Sequence, residues 1–214
     1  MLLWDFKQFG YRRLVVTAAA IFLPATVLHA ALPPKSDIPN TVTFTGQLLV
    51  ASPQLRQNGF SHAVVLVAQH NRDGAFGIVI NRPTATRSIA GLLRAFGADA
   101  SGIKKNIRVF LGGPSEPAVA LIVHSGEYRR PDTLDIDGRV ALTSAVDVLV
   151  DIGTGKGPRK SLLAFGYSGW AAGQLDDEVA HGVWITLPED SDLVFDDDRS
   201  KVWADAIERH KAIR

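Results

Sequence analysis

An α+β domain is the fold class that this sequence predicts, and three observations predict it. Short apolar runs rich in β-branched residues, led by Ala63-Val64-Val65-Leu66-Val67-Ala68, read as buried strands. Turn chemistry at Asn71-Arg72-Asp73-Gly74 and at Asp135-Ile136-Asp137-Gly138-Arg139 joins neighbouring strands as hairpins. Between other strands, apolar residues recur at helical spacing behind cap residues. Strands that arrive through hairpins as well as through helices argue against a doubly wound parallel sheet.

Taken in order, Gly46 to Ala51 is the first strand and residues 63–68 the second. Asp-Gly at the tip of the first hairpin supplies the positive backbone angles of a tight turn, and Phe76 to Ile80 returns as the partner strand. Pro83 ends that pairing because it has no N–H to donate. Ser88 caps a short helix to Phe96, in which Ile89, Leu92, Leu93 and Phe96 share a face and Gly97 is the stop. Val109 to Leu111 and Ala120 to Val123 are strands flanking Gly112-Gly113-Pro114. Ser144 caps a helix over Val146, Leu149 and Val150, closed by Gly153. Leu162 to Phe165 is a buried strand, Ala171 to Ala180 a helix, and Val183 to Leu187 a strand. The last helix is amphipathic, with Val202, Trp203, Ala206, Ile207 and His210 on one side and Asp197 or Asp198 at its start.

Composition bounds the function. The chain has 214 residues, 46% hydrophobic and 21% charged, which suits one domain able to bury a core without staples. It has no cysteine, so disulfides, thiolate metal sites and cysteine nucleophiles are excluded. The net charge is +1, and residues 1–30 carry Lys7, Arg12 and Arg13 against Asp5, which leaves about −1 for the rest. That balance lacks the basic footprint of a nucleic-acid binder, so nucleic acid is a disfavoured partner.

The N-terminus reads as an address. Arg12-Arg13 precedes an apolar stretch from Leu14 to Leu23 and a small-residue exit ending at Ala30. Residues 1–30 are therefore expected to be a signal peptide, cut after Ala30, or an N-terminal membrane anchor. Uncleaved, residues 14–32 are just long enough to contact and cross a membrane. Either version exports the domain, to the periplasm or anchored facing it. Residues 31–41, with three prolines, form a linker, and 42–214 form one domain.

Four motifs occur in a fixed order: His70 to Pro83, Leu111-Gly112-Gly113-Pro114, Gly166-Tyr167-Ser168-Gly169-Trp170 and Gly173-Gln174-Leu175. With Gly46-Gln47-Leu48-Leu49-Val50-Ala51 before them and Trp203 in the last helix, they resemble the AlgH/YqgE family of bacterial proteins over nearly the whole domain. The resemblance implies a single α+β domain on a bifurcated, partly folded-over β-sheet with flanking helices. It implies no particular chemistry, because the family as a class carries no established biochemical activity. Its label of transcriptional regulator rests on an association with alginate control. Typical members begin just before the Gly-Gln-Leu-Leu segment and are cytosolic, so the resemblance implies the cytosol where the leader implies export.

Each chemical candidate has a structural counterpart. Gly166-Tyr167-Ser168-Gly169-Trp170 approaches a nucleophile elbow between a strand and a helix, with His124 or His181 as base. The elbow needs a small residue where Trp170 stands, so a packed glycine turn is the better reading. Gly153-Thr154-Gly155-Lys156-Gly157-Pro158 fails as a phosphate loop, which needs glycine at Val150 and a hydroxyl residue at Gly157. The six histidines lack metal-ligand spacing, and no metal or cofactor is called for. Asp196-Asp197-Asp198 lacks the alternation of a calcium loop and suits a helix start. Asn81 and Arg82 at a strand exit can present donors, with Trp170 as an apolar wall, Gln174 as an amide, and His70 and Asp73 beside them. These six residues form the candidate recognition surface. The expected function is a non-catalytic binding or regulatory protein with a protein or small-molecule ligand. The alternative is a serine hydrolase using Ser168.

Overall fold

Ten strands and five helices follow one another among the described residues, 43–55 and 59–213, of the computed structural model. The expected signal segment and linker lie outside the described residues. In chain order the strands and the first helix are β1 (Gln47–Ala51), β2 (Val64–Asn71), β3 (Gly74–Val79), β4 (Pro83–Ser88), α1 (Ile89–Ala95), β5 (Asn106–Leu111) and β6 (Ser115–Ser125). There follow β7 (Leu134–Asp135), β8 (Val140–Ser144), α2 (Ala145–Thr154), β9 (Ser161–Ala171), α3 (Gln174–Ala180), β10 (Trp184–Pro188), α4 (Ser191–Val194) and α5 (Val202–Ile213).

The strand β9 explains the architecture. Its first half lies between β6, antiparallel, and β5, parallel, with Val109 opposite Leu163 and Leu111 opposite Phe165. Its last four residues leave β5 and pair with β3, Ser168 opposite Gly77 and Ala171 opposite Gly74. A strand that changes partner along its length forks the sheet. One branch runs β10-β1-β2-β3 and the other carries β6-β8-β7 with β5 and β4. The bifurcated sheet that the resemblance implies is present.

Glycines make the fork. Gly166 sits at φ +72°, a conformation that side chains disfavour, where β9 bends between its two partners. The Gly112-Gly113 segment crosses β9 there so closely that a Cβ on Gly112 would lie 2.3 Å from the Gly166 carbonyl oxygen. A Cβ on Gly113 would lie 2.2 Å from the Tyr167 carbonyl carbon. Backbone bonds tie the branches together: Gly112 N–H donates to Phe165 O and Val79 N–H donates to Gly112 O, each at 2.8 Å.

Alternation along the strands then fills three cores. Leu48, Val50, Leu66, Ile78 and Ile80 of one branch meet Phe110, Leu121, Val123 and Leu162 of the other, capped by Val202 and Ala206 of α5. The outer face of the first branch packs Val65, Val67, Trp170 and Trp184 with Leu175 of α3. The outer face of the second packs Ile122 and Leu163 under α1 and α2. Ser88 caps α1 as expected, accepting from Gly91 N–H.

Four local expectations change. Pro83 ends pairing with β2 but opens β4, an exposed edge strand on β5, which no apolar alternation announces. The Gly166–Trp170 motif is strand throughout, not a strand-to-helix turn. The helix α2 runs through Gly153 and closes at Gly155, which takes the left-handed conformation. At the first hairpin, Arg72-Asp73 form the turn, with Asn71 Oδ1 accepting from Asp73 N–H, while Gly74 takes the positive φ.

Candidate functional site

The structure divides the six predicted surface residues between two ends of β3. His70, Asp73, Trp170 and Gln174 gather at the hairpin end, since both His70 and Trp170 lie opposite Ala75. Asn81 and Arg82 follow the far end of β3, six residues on, roughly 20 Å away at the rise of a strand.

At the hairpin end the polar groups are tied to each other. The buried His70 ring stacks on Phe44, and its Nδ1 accepts from the Phe44 N–H at 3.1 Å. Its Nε2 therefore carries the proton and donates to Asp176, 3.1 Å away. No hydrogen bond joins His70 to Asp73; the Asp73 carboxylate instead faces Arg72 at the exposed tip. The Trp170 and Trp184 indoles both donate to Oε2 of Glu178, at 2.8 and 2.7 Å. Gln174 Nε2 donates to the other Glu178 oxygen, and Gln174 Oε1 accepts from the Ala171 N–H. Glu178 was absent from the sequence reading, and the signal for it was the spacing Gln174-x-x-x-Glu178 on one helix face.

At the far end, the Asn81 amide is a brace. It accepts from the Val64 N–H at 2.9 Å and donates to the His62 carbonyl at 2.8 Å. Arg82 donates to the Ser61 carbonyl, and burial lowers its pKa. It borders a small pocket of about 110 Å³ with Phe60, Val79, Leu111 and Pro114.

Ser168 is 1% exposed and lies in mid-strand, and its hydroxyl has no hydrogen-bond partner among the described residues. His124 pairs with Ser161, seven residues along β9, roughly 20 Å away by strand rise. His124 is itself fully buried: Nδ1 donates to the Ser125 carbonyl and Nε2 accepts from the Thr143 hydroxyl at 2.7 Å. Burial lowers its pKa, which agrees with this neutral tautomer. His181 Nδ1 is engaged by the Asp177 carbonyl at the end of α3. His124 thus does not serve Ser168 as a base.

An open, charged groove lies elsewhere, where the start of β9 meets the α4–α5 connection. A groove of about 460 Å³ is lined by Arg108, Phe110, Arg159, Lys160, Ser161, Phe195, Asp197 and Arg199. It adjoins a second groove of about 570 Å³, which shares Arg159, Lys160 and Phe195 and adds Glu127 and Arg139. Arg199 is 9% exposed and lies 5.1 Å over the Phe110 ring. Among the described residues its Nη1 donates to the Val194 and Ile80 carbonyls, its Nε has no partner, and no carboxylate forms an ion pair with it. Burial lowers its pKa, as does Arg108, while Asp196 and Asp197 act in the other direction. The guanidinium still carries its charge at neutral pH. Arg108 donates to the Asp197 carbonyl, and Lys160 stands 5.9 Å over Phe195 and 4.0 Å from Asp192. Burial pushes the Glu127 carboxyl up, but amide bonds from Arg159 and Glu127 and the Ser125 hydroxyl bring it down to about 2. The sequence reading missed this groove, for its cations come from three separate segments.

The described residues contain no helix long and apolar enough to cross a membrane. A family model described as AlgH-like matches residues 48–212. A UPF0301 protein of Methylococcus capsulatus is 40% identical over 163 residues, covering 76% of this chain and 89% of that protein. Another, from Afipia carboxidovorans, is 37% identical over 186 residues, covering 83% and 89%. The solution structure of the AlgH protein from Pseudomonas aeruginosa superposes with a TM-score of 0.67 at 30% identity, covering 82% of this chain and 92% of that one. A crystal structure of a protein from Corynebacterium diphtheriae shares the fold at a TM-score of 0.61 and 20% identity, covering 77% and 85%.

Proposed function

The chain belongs to the AlgH-like family, and from that premise we propose that it acts by binding and not by catalysis. The carrying observation is the cationic groove, an open surface lined by four cationic side chains and one acidic one. Around it stand guanidinium, ammonium and aromatic groups, which recognise ligands but make poor nucleophiles at neutral pH. The side chains that could run acyl chemistry are held in structural roles: Ser168 is sealed within β9, and His70 and His124 are bonded on both ring nitrogens. A regulatory role through a protein or small-molecule ligand is consistent with this arrangement. Direct DNA binding is a weaker reading, since the chain carries a net charge of only +1.

The test is covalent labelling. The purified protein is incubated with a fluorophosphonate, which reacts with activated serines, and its intact mass is read. An unchanged mass is the expected result. A stoichiometric adduct on Ser168 would overturn the binding reading and restore a hydrolase. We read residues 1–30 as a signal peptide or a membrane anchor, either of which would put this binding in the periplasm or facing it; for a cleaved signal a mature N-terminus near Ala31 is expected by mass spectrometry of fractionated cells. A cytosolic product that keeps Met1 would remove that address.

A further inference from the structure

We propose that the groove binds a phosphorylated small molecule, with Arg199 on its floor and Arg108 and Lys160 on its rim as the groups that hold the phosphate oxygens. The inference rests on the reading of the groove as a binding seat and adds the ligand class.

The residues argue for an oxyanion. Four cationic side chains and a single acidic one, Asp197, line the groove of about 460 Å³. Lys160 is more than half exposed and its nearest carboxylate, Asp192, stands at the outer limit of an ion pair. Arg108 donates to the Asp197 backbone carbonyl, and among the described residues no carboxylate forms an ion pair with it. Arg159 is the exception, since Glu127 accepts from its backbone and lies 3.4 Å from its guanidinium.

Arg199 separates this groove from an ordinary solvated basic patch. A guanidinium buried to this degree is costly without a carboxylate, and such groups are normally paired. Here two backbone carbonyls satisfy one nitrogen and the Phe110 ring faces the charge, while Nε stays unpaired. Asp196 and Asp197 act on this charge without forming an ion pair with it, and an anion in the groove would supply a direct partner. Phosphate suits the donors, because a guanidinium fork matches two of its oxygens and an ammonium can take a third. The spread of cations over floor and rim suits two phosphoryl groups better than one. Phe110 and Phe195 each already carry a cation over the ring, so the aromatic walls hold the cations in place.

Isothermal titration of the purified full chain at low salt, with inorganic phosphate and with pyrophosphate, tests this. Pyrophosphate is expected to bind more tightly than phosphate and to raise the thermal midpoint. Arg108→Gln and Lys160→Gln, both at exposed positions, are each expected to weaken pyrophosphate at least about tenfold, while Lys104→Gln, outside the groove, has no effect. Arg199→Met is expected to abolish binding; if that variant fails to fold, the two rim variants decide the matter. Absence of binding at millimolar pyrophosphate would overturn the proposal. So would equal stabilisation by sodium sulfate at the same ionic strength, or an equal loss in Lys104→Gln. Failure here with Ser168 still unlabelled by fluorophosphonate would remove the phosphate ligand and leave the binding reading standing.

Discussion

Gly113→Ala should cripple the fork in the sheet. The added Cβ would stand 2.2 Å from the Tyr167 carbonyl carbon, 2.3 Å from its oxygen and 2.4 Å from the Ser168 nitrogen. Ordinary contact begins near 3.4 Å, so one backbone must yield by about 1 Å. Both candidates are backbone in the centre of the sheet, and neither can rotate away as a side chain would. Overpacking of this kind costs about 1–3 kcal/mol. The shift also stretches the two 2.8 Å bonds that join Gly112 to Phe165 and to Val79, each worth about 1 kcal/mol and more if left buried and unpaired. The total is about 3–6 kcal/mol, a large share of a typical domain's stability of about 5–15. Urea unfolding with a slope of about 2 kcal/mol/M should show the midpoint falling by roughly 1.5–3 M. Gly91→Ala in α1 is the control, because its Cβ meets only Ser88 Cβ at 3.8 Å; it should raise stability by up to about 1 kcal/mol. A Gly113→Ala midpoint within about 0.5 M of wild type would refute the close approach described at the fork.

Three further outcomes follow from buried polar groups. The Glu189 side chain is 1% exposed, and burial and then Asp137 push its carboxyl up to about 7, although Arg139 lies 2.8 Å from Oε2. The folded state therefore holds a proton that the unfolded chain has lost. Stability from this group is full below about pH 4.5 and fades as pH rises through about 7, by up to about 3 kcal/mol, and Glu189→Gln should flatten that slope in urea midpoints measured from pH 5 to 8. Asp137, lowered, acts oppositely at more acid pH, so the pair titrates as a unit. Glu178→Ala strands the Trp170 and Trp184 indole N–H groups; a loss of about 2–4 kcal/mol and a shift in tryptophan emission are expected, and unchanged emission would contradict the shared bond. Ser168→Ala deletes an unpaired buried hydroxyl and should leave the unfolding midpoint unchanged or raised, where a marked loss would show a partner for that hydroxyl.

Much of the fold is legible in the sequence, wherever one segment carries its own signal. The β2–β3 hairpin announces itself by a β-branched run, turn residues and a returning apolar strand. The helix α1 is legible from Ser88, its apolar face and Gly97. The strand β4 is not, because Pro-Thr-Ala-Thr-Arg-Ser has no buried residue and owes its pairing to β5. The helix α4, four residues long, is too short for any periodicity. Glycine misled at the fork: in Gly166-Tyr167-Ser168-Gly169-Trp170 it suggests a turn, whereas the strand continues and Gly166 marks the bend beside Gly112 and Gly113. A crossing between residues some fifty apart in the chain leaves no local trace.

The candidate surface fared differently from the fold. His70, Trp170 and Gln174 do come together, yet they bond to Asp176 and Glu178 and hold α3 on the sheet. Asn81 and Arg82 lie at the far end of β3. The groove was illegible because Arg108, Arg159-Lys160 and Arg199 are each unremarkable alone, and the acidic run Asp196 to Asp198 masks the last of them in any running charge sum.

The most direct test is a crystal structure of the protein grown with pyrophosphate. Density for the anion between Arg199, Arg108 and Lys160, with Nε or Nη2 of Arg199 within hydrogen-bond distance of a phosphate oxygen, is the predicted result. An empty groove beside a protein that binds the anion at the pocket of Arg82, or against Ser168, would contradict it.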